Sequence, residues 1–152
     1  MGGEYFLSGL RRMAKKLLGM FIQSQSANML NEPGLRSVLV VDDEESIRKL
    51  LCHVLTPAGY IVLEAKDGKE AIRLVNSHSV DVVITDLAMP EQEGIETVRA
   101  LRRSHPNLKV IAMSGAFGDQ LKIVRMLGAH AAIRKPFHPA GLCQLVEQIL
   151  KG

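Results

Sequence analysis

Five short aliphatic runs recur along this chain, and after each one apolar residues return every three or four positions. No other feature narrows the fold as much. The runs are Val38–Val41, Ile61–Ala65, Val80–Asp86, Lys109–Gly115 and Ala131–Arg134. Helical spacing covers Glu44–Leu55, Gly68–Asn76, Ile95–Arg103, Asp119–Gly128 and Pro139–Leu150, with Pro57, Gly59, His105-Pro106 and Gly128 as punctuation. Strands that are apolar almost throughout are buried on both faces, so they line up in parallel beneath helices. Right-handed crossovers then predict an α/β fold, a doubly wound five-stranded parallel sheet sandwiched by helices.

Such a core has to be aliphatic here, because the 152 residues include no Trp, two Tyr and four Phe. The formal charge of +3 is concentrated at the start, where Arg11, Arg12, Lys15 and Lys16 face only Glu4 before residue 23. Beyond that point acidic and basic residues balance, so the charge gives no reason to expect nucleic-acid binding by the body. Cys52 and Cys143 both fall in apolar helical patterns. They read as small buried thiols in a reducing, cytoplasmic compartment rather than as a disulfide framework. No segment offers the roughly 20 apolar residues of a spanning helix, and basic residues interrupt the place of a secretory signal's apolar region.

Residues 1–35 read as an N-terminal extension. Phe6, Leu10, Met13, Leu17 and Phe21 recur at helical spacing, with the basic residues largely on another face. That pattern suits a basic amphipathic helix, with residues 1–22 touching a membrane surface or docking on a partner. It also suits a plain extension, or translated sequence upstream of the true start, and this second reading is preferred. "QSQSANMLNEPG" then reads as a polar linker.

In a doubly wound sheet, ligands bind beyond the carboxyl ends of the strands. Those ends carry Asp42-Asp43, Asp86, Ser114-Gly115 and Lys135-Pro136. Each has a plain explanation alone: Asp43 as a helix cap, Asp86 as a strand terminus, Ser114 as a turn, Lys135 as a solvated lysine. Their joint arrival at one edge points to a site. Three carboxylates repel one another unless a cation sits among them. Oxygen donors without imidazole or thiolate favour Mg²⁺, which retains water and meets phosphate. Lys135 supplies one more positive charge, so the edge suits a phosphoryl group.

The segments "VLVVDDEESIRKLL", "DVVITDLAMPEQEG", "VIAMSG" and "AIRKPF" resemble the response-regulator receiver domain of two-component signalling, from Ser37 to about Leu150. The resemblance implies a receiver over residues 36–152, with flavodoxin-like topology and strand order 2-1-3-4-5. It implies that Asp86 is the phospho-acceptor and that Asp42, Asp43, Asp86 and the backbone carbonyl of Ala88 hold Mg²⁺. Ser114 and Lys135 would contact the phosphoryl oxygens, and the Lys135-Pro136 bond would be cis. The partners implied are a sensor histidine kinase or histidine phosphotransfer protein and a downstream protein target. Activity would be limited to self-catalysed phosphoryl acceptance and slow autodephosphorylation, without turnover as an enzyme.

The sequence departs from the family at Ala132, where an aromatic switch residue is usual, and at Gln92 and Glu93 in the loop after Asp86. Output is therefore expected to run through the loop after Ser114 and the helix Asp119–Gly128. The chain stops at Gly152, so a single-domain regulator acting by protein contact is expected. Alternatives are a receiver-shaped scaffold that is never phosphorylated, kept open by Ala132, and an aspartyl-phosphate hydrolase. Against the hydrolase, Ala88 stands where such enzymes carry a second Asp. His130, in a turn, reads as an incidental surface histidine, and the five histidines show no metal-ligand spacing.

Overall fold

The computed structural model describes residues 13–14, 16–17, 34–115 and 120–152. The extension and linker expected before residue 36 lie almost wholly outside this set; Met13, Ala14, Lys16 and Leu17 are helical. Of the two contact units into which the chain divides, Leu35–Gly152 holds everything that follows.

Strands and helices alternate: β1 Arg36–Val41, α1 Glu45–Leu55, β2 Tyr60–Ala65, α2 Gly68–Ser77 and β3 Val82–Asp86. Then come a 3-10 turn at Pro90–Gln92, α3 Glu93–Ser104, β4 Lys109–Ser114, α4 Gln120–Met126, β5 Ala131–Arg134 and α5 Pro139–Lys151. The five strands form one parallel sheet in the order β2-β1-β3-β4-β5. From β1 the chain builds outward first to β2 and then, on the other side, to β3, which makes the end of β1 the switch point.

Because side chains alternate along a strand, each aliphatic run feeds two cores. Val38, Val40, Val82, Ile84, Ile111 and Met113 face α1 and α5, against Leu51, Leu55, Leu142 and Val146. Leu39, Val41 and Val83 face the opposite layer and meet Ala71, Leu74 and Leu101 of α2 and α3. Val110 and Ala112 continue that layer with Val98 and Val124. The outer strands β2 and β5 are only half-buried along most of their length, as sheet edges should be.

Local signals place the helix starts. Asp67 caps α2 by accepting the Glu70 N–H at 2.8 Å, and Glu70 accepts the Lys66 N–H at 3.0 Å in return. Pro139 occupies the first turn of α5, where its missing donor costs nothing. Helix α3 begins two residues earlier than the spacing predicts. The Pro90–Gln92 turn feeds it directly through Glu91, held at φ 58°, and Glu93 and Glu96 favour the helix start. Helix α4 ends at Met126, two residues before the expected end; Gly128, at φ +81°, turns the chain toward β5.

Candidate functional site

The pairing register brings the predicted residues to one edge. Val41 pairs with Thr85, so Asp42 and Asp86 stand side by side one step further on; Asp86 pairs with Met113, just before Ser114. Backbone bonds continue the ladder past the strand ends. The Asp42 N–H donates to Ala65 at 3.2 Å, the Leu87 N–H to Met113 at 2.9 Å and the Lys135 N–H to Ser114 at 2.8 Å. The sheet, not a free loop, therefore sets the spacing of the site.

Asp42 is fully buried and Asp86 nearly so, whereas Asp43 is exposed. One carboxylate oxygen from each lies within 4.8 Å of the others. Lys135 reaches into this group, with Nζ 3.1 Å from Asp42 Oδ2 and 3.2 Å from Asp86 Oδ2. The second oxygens are held by backbone: the Glu44 N–H donates to Asp42 Oδ1 at 2.9 Å and the Ala88 N–H to Asp86 Oδ1 at 3.1 Å. Ser114 is buried at the tip of β4. The Lys135-Pro136 peptide is cis.

The electrostatics follow from burial. Desolvation raises the pKa of Asp42 above the ordinary carboxylate value, outweighing the Glu44 N–H and the Lys135 ammonium that oppose it. Burial also works against the charge on Lys135, yet Asp42 and Asp86 together overcome it, and the lysine stays above its ordinary value. Helix capping does not explain Asp43, because the cap position of α1 is Glu44 and makes no side-chain cap bond. Three oxygen-bearing side chains, no imidazole and no thiolate form a donor set that fits a hard divalent cation.

Three residues that support the site were not singled out for this role from sequence. Arg48 on α1 is mostly buried and donates to the Asp42 carbonyl at 2.8 Å, while its Nε lies 3.4 Å from Glu64 on β2. It braces the turn that carries both acidic residues against the neighbouring edge strand. Its six-residue separation from Asp42 belongs to no helical repeat, so no periodic signal exposes it. Gly94 lets the start of α3 approach β3: a Cβ there would stand 2.1 Å from the Asp86 carbonyl oxygen and 2.8 Å from Leu87 Cα. Glu93, noted above as a departure from the family in the loop after Asp86, accepts the Gly68 N–H at 3.0 Å and ties α3 to α2.

Ala132 is half-buried and packs against the layer of Val110, Ala112 and Val124. Among the described aromatic residues, Tyr60 and Phe137 pack on the opposite, α1–α5 face. The loop at residues 116–119 and the side chain of Gln92 lie outside the described residues. His130 is exposed, as expected, but its ring is engaged. Its Nδ1 accepts the Val110 N–H at 3.1 Å and its backbone N–H donates to the Val110 carbonyl at 2.8 Å, closing the start of β4.

A doubly wound parallel sheet with three carboxylates and a lysine at its switch point defines an α/β domain with a candidate cation site at its strand ends. A family model described as the response regulator receiver domain matches residues 38–147, and the chain belongs to that family. The chemotaxis protein CheY of Thermotoga maritima is 34% identical over 119 residues, 76% of this chain and 98% of that protein. The alkaline phosphatase synthesis transcriptional regulatory protein PhoP of Bacillus subtilis is 33% identical over 117 residues; the match covers 76% of this chain and 49% of PhoP. Among solved structures, CheY4 of Vibrio cholerae superposes with a TM-score of 0.73 at 32% identity, covering 77% of this chain and all of that one. No described helix is long and apolar enough to cross a membrane.

Proposed function

We propose that this chain receives a phosphoryl group on Asp86 from a phosphohistidine of a sensor histidine kinase or histidine phosphotransfer protein, and signals to a protein partner by changing conformation. One observation carries the reading. The Asp86 carboxylate stands at the sheet's rim with one oxygen held by the Ala88 N–H and the other by Lys135, within reach of Asp42 and Asp43.

In this reading an Asp86 oxygen attacks phosphorus, the P–N bond of the phosphohistidine breaks, and the imidazole departs with the bond's electron pair. Lys135 swings from the two carboxylates to the incoming equatorial oxygens, as a point charge. Ser114 donates to another of those oxygens. Mg²⁺ held by Asp42, Asp43, Asp86 and the Ala88 carbonyl would neutralise charge on the transferred group. The acyl phosphate adds about −1.5 to −2 of charge, enough to bias a two-state surface. Water later returns Asp86 to its free state, so the chain resets without acting on outside substrates.

Residues 36–152 serve as the receiver in the cytoplasm, and residues 1–35 take no part in the chemistry. With Ala132 in place of an aromatic switch, the response passes through the segment after Ser114 and α4. The test is incubation with acetyl phosphate and Mg²⁺, followed by intact mass. One phosphate-sized gain, absent in Asp86→Asn and in EDTA, is expected; no gain under any condition overturns the proposal in favour of an unphosphorylated scaffold.

A further inference from the structure

Helices α3 and α4 enclose a groove of about 390 Å³ lined by Arg99, Arg102, Arg103, Met126 and Leu127. It lies on the helical layer, away from the acidic rim. Arg102 is held in place on the groove's wall, donating to the carbonyls of Pro106 at 2.5 Å and Leu108 at 3.1 Å. Arg99 and Arg103 are exposed, and neither forms an ion pair with a carboxylate among the described residues. Met126 projects beside them with 86% of its surface in solvent, the most exposed large apolar side chain among the described residues.

Two features of this patch are unfavourable in the isolated chain. Arg99 and Arg103 are one helical turn apart, and like charges at that spacing repel. A wholly exposed thioether gains nothing from water, whereas methionine packs readily against varied apolar partners. An occupant carrying two carboxylates one helical turn apart, roughly 6 Å, would match the two guanidinium groups bidentately. An adjacent apolar side chain would cover Met126.

We infer that the groove between α3 and α4 docks an acidic amphipathic segment of a protein partner, read by Arg99 and Arg103 and anchored on Met126. Charge complementarity selects an acidic occupant, and Met126 selects a peptide over a polyphosphate, whose backbone has nothing apolar to offer it. The body's balanced charge also leaves no wider basic field to hold nucleic acid. Binding here requires neither Asp86 nor a cation, so the inference stands or falls apart from the proposed phosphoryl chemistry.

The probe is a fluorescein-labelled helical peptide with glutamates at i and i+4 and leucine between them, titrated onto the full chain in EDTA. Anisotropy reports affinity, and the Met126 methyl resonance reports location. Saturable binding that shifts this methyl, weakened at least about tenfold in R99E/R103E, is expected. A K66E/K69E variant carries the same charge change on exposed residues elsewhere and should bind as before. Equal weakening in both variants overturns the inference, as does an unmoved Met126 methyl. Tighter binding of a single-stranded oligonucleotide or of phosphatidylglycerol vesicles through the same residues overturns it too. Circular dichroism of each variant separates lost docking from lost folding.

Discussion

Replacing Lys135 by Met removes the ammonium shared by two buried carboxylates while keeping a side chain of similar reach. With Nζ at 3.1 and 3.2 Å from Asp42 and Asp86, each contact carries about 5 kcal/mol of gross attraction at an effective dielectric near 20. Holding the ammonium out of water costs several kcal/mol, and its 22% exposure screens part of the remainder. Asp42, fully buried, is left without its counter-charge in the variant. The net loss should be about 2–4 kcal/mol, large against a total of roughly 5–15 kcal/mol but survivable. Urea titration in EDTA at pH 7.5 measures it. The deficit should shrink on acidification, because a carboxylate whose folded pKa is raised takes up its proton more readily in the folded state. Adding Mg²⁺ should restore more stability to the variant than to the parent. Asp42→Asn placed on top of Lys135→Met should recover at least about 1 kcal/mol, since the pair is coupled. A Lys135→Met protein as stable as its parent in EDTA, or a double variant no better than the single one, would refute this electrostatic account.

Gly94→Ala should cost about 1–3 kcal/mol or more and weaken cation binding, because the new methyl meets the backbone of Asp86 and Leu87 rather than a movable side chain. Gly141→Ala, with open space around its Cβ in α5, should instead gain about 0.5–1 kcal/mol; thermal melts compare the two. Burial first, then Arg102 and Lys109, hold the His130 pKa below its ordinary value. The unfolded chain therefore takes a proton that the folded one resists. This contribution is complete above about pH 6.5 and is lost as pH falls from there toward the depressed folded value. Melts at pH 7.5 and 5.5 should show a smaller acid loss in His130→Gln than in the parent; equal slopes would exclude the effect. Burial, and then the Glu64 carboxylate, push the Cys52 thiol up to about 11. Iodoacetamide at pH 8 should alkylate it roughly a hundredfold more slowly than an ordinary thiol, read by peptide mass after timed quenching.

The sheet was legible because its evidence is local and repeated. Val38–Val41 and Val82–Ile84 are apolar on both sides, and a strand buried on both faces leaves few architectures open. The acidic rim was legible for a related reason. Asp42, Asp86, Ser114 and Lys135 each follow or end an aliphatic run, so a parallel sheet must bring them to the same edge. Boundaries were less so: α3 begins at Glu93 because the Pro90–Gln92 turn delivers the chain there, and helical periodicity does not record the turn.

Local patterning alone establishes the layered α/β class, the strand ends where the candidate site lies and the order in which they appear. Only the tertiary structure decided that Lys135 spans Asp42 and Asp86, that Arg48 braces the acidic turn from α1, and that His130 seals β4. It also decided that Gly94 must stay bare against Asp86 and that Arg99, Arg103 and Met126 share one groove. The physical reason is range. Periodicity and punctuation are properties of neighbouring residues, whereas these contacts join groups brought together only when helices settle on the sheet, at distances no local pattern encodes.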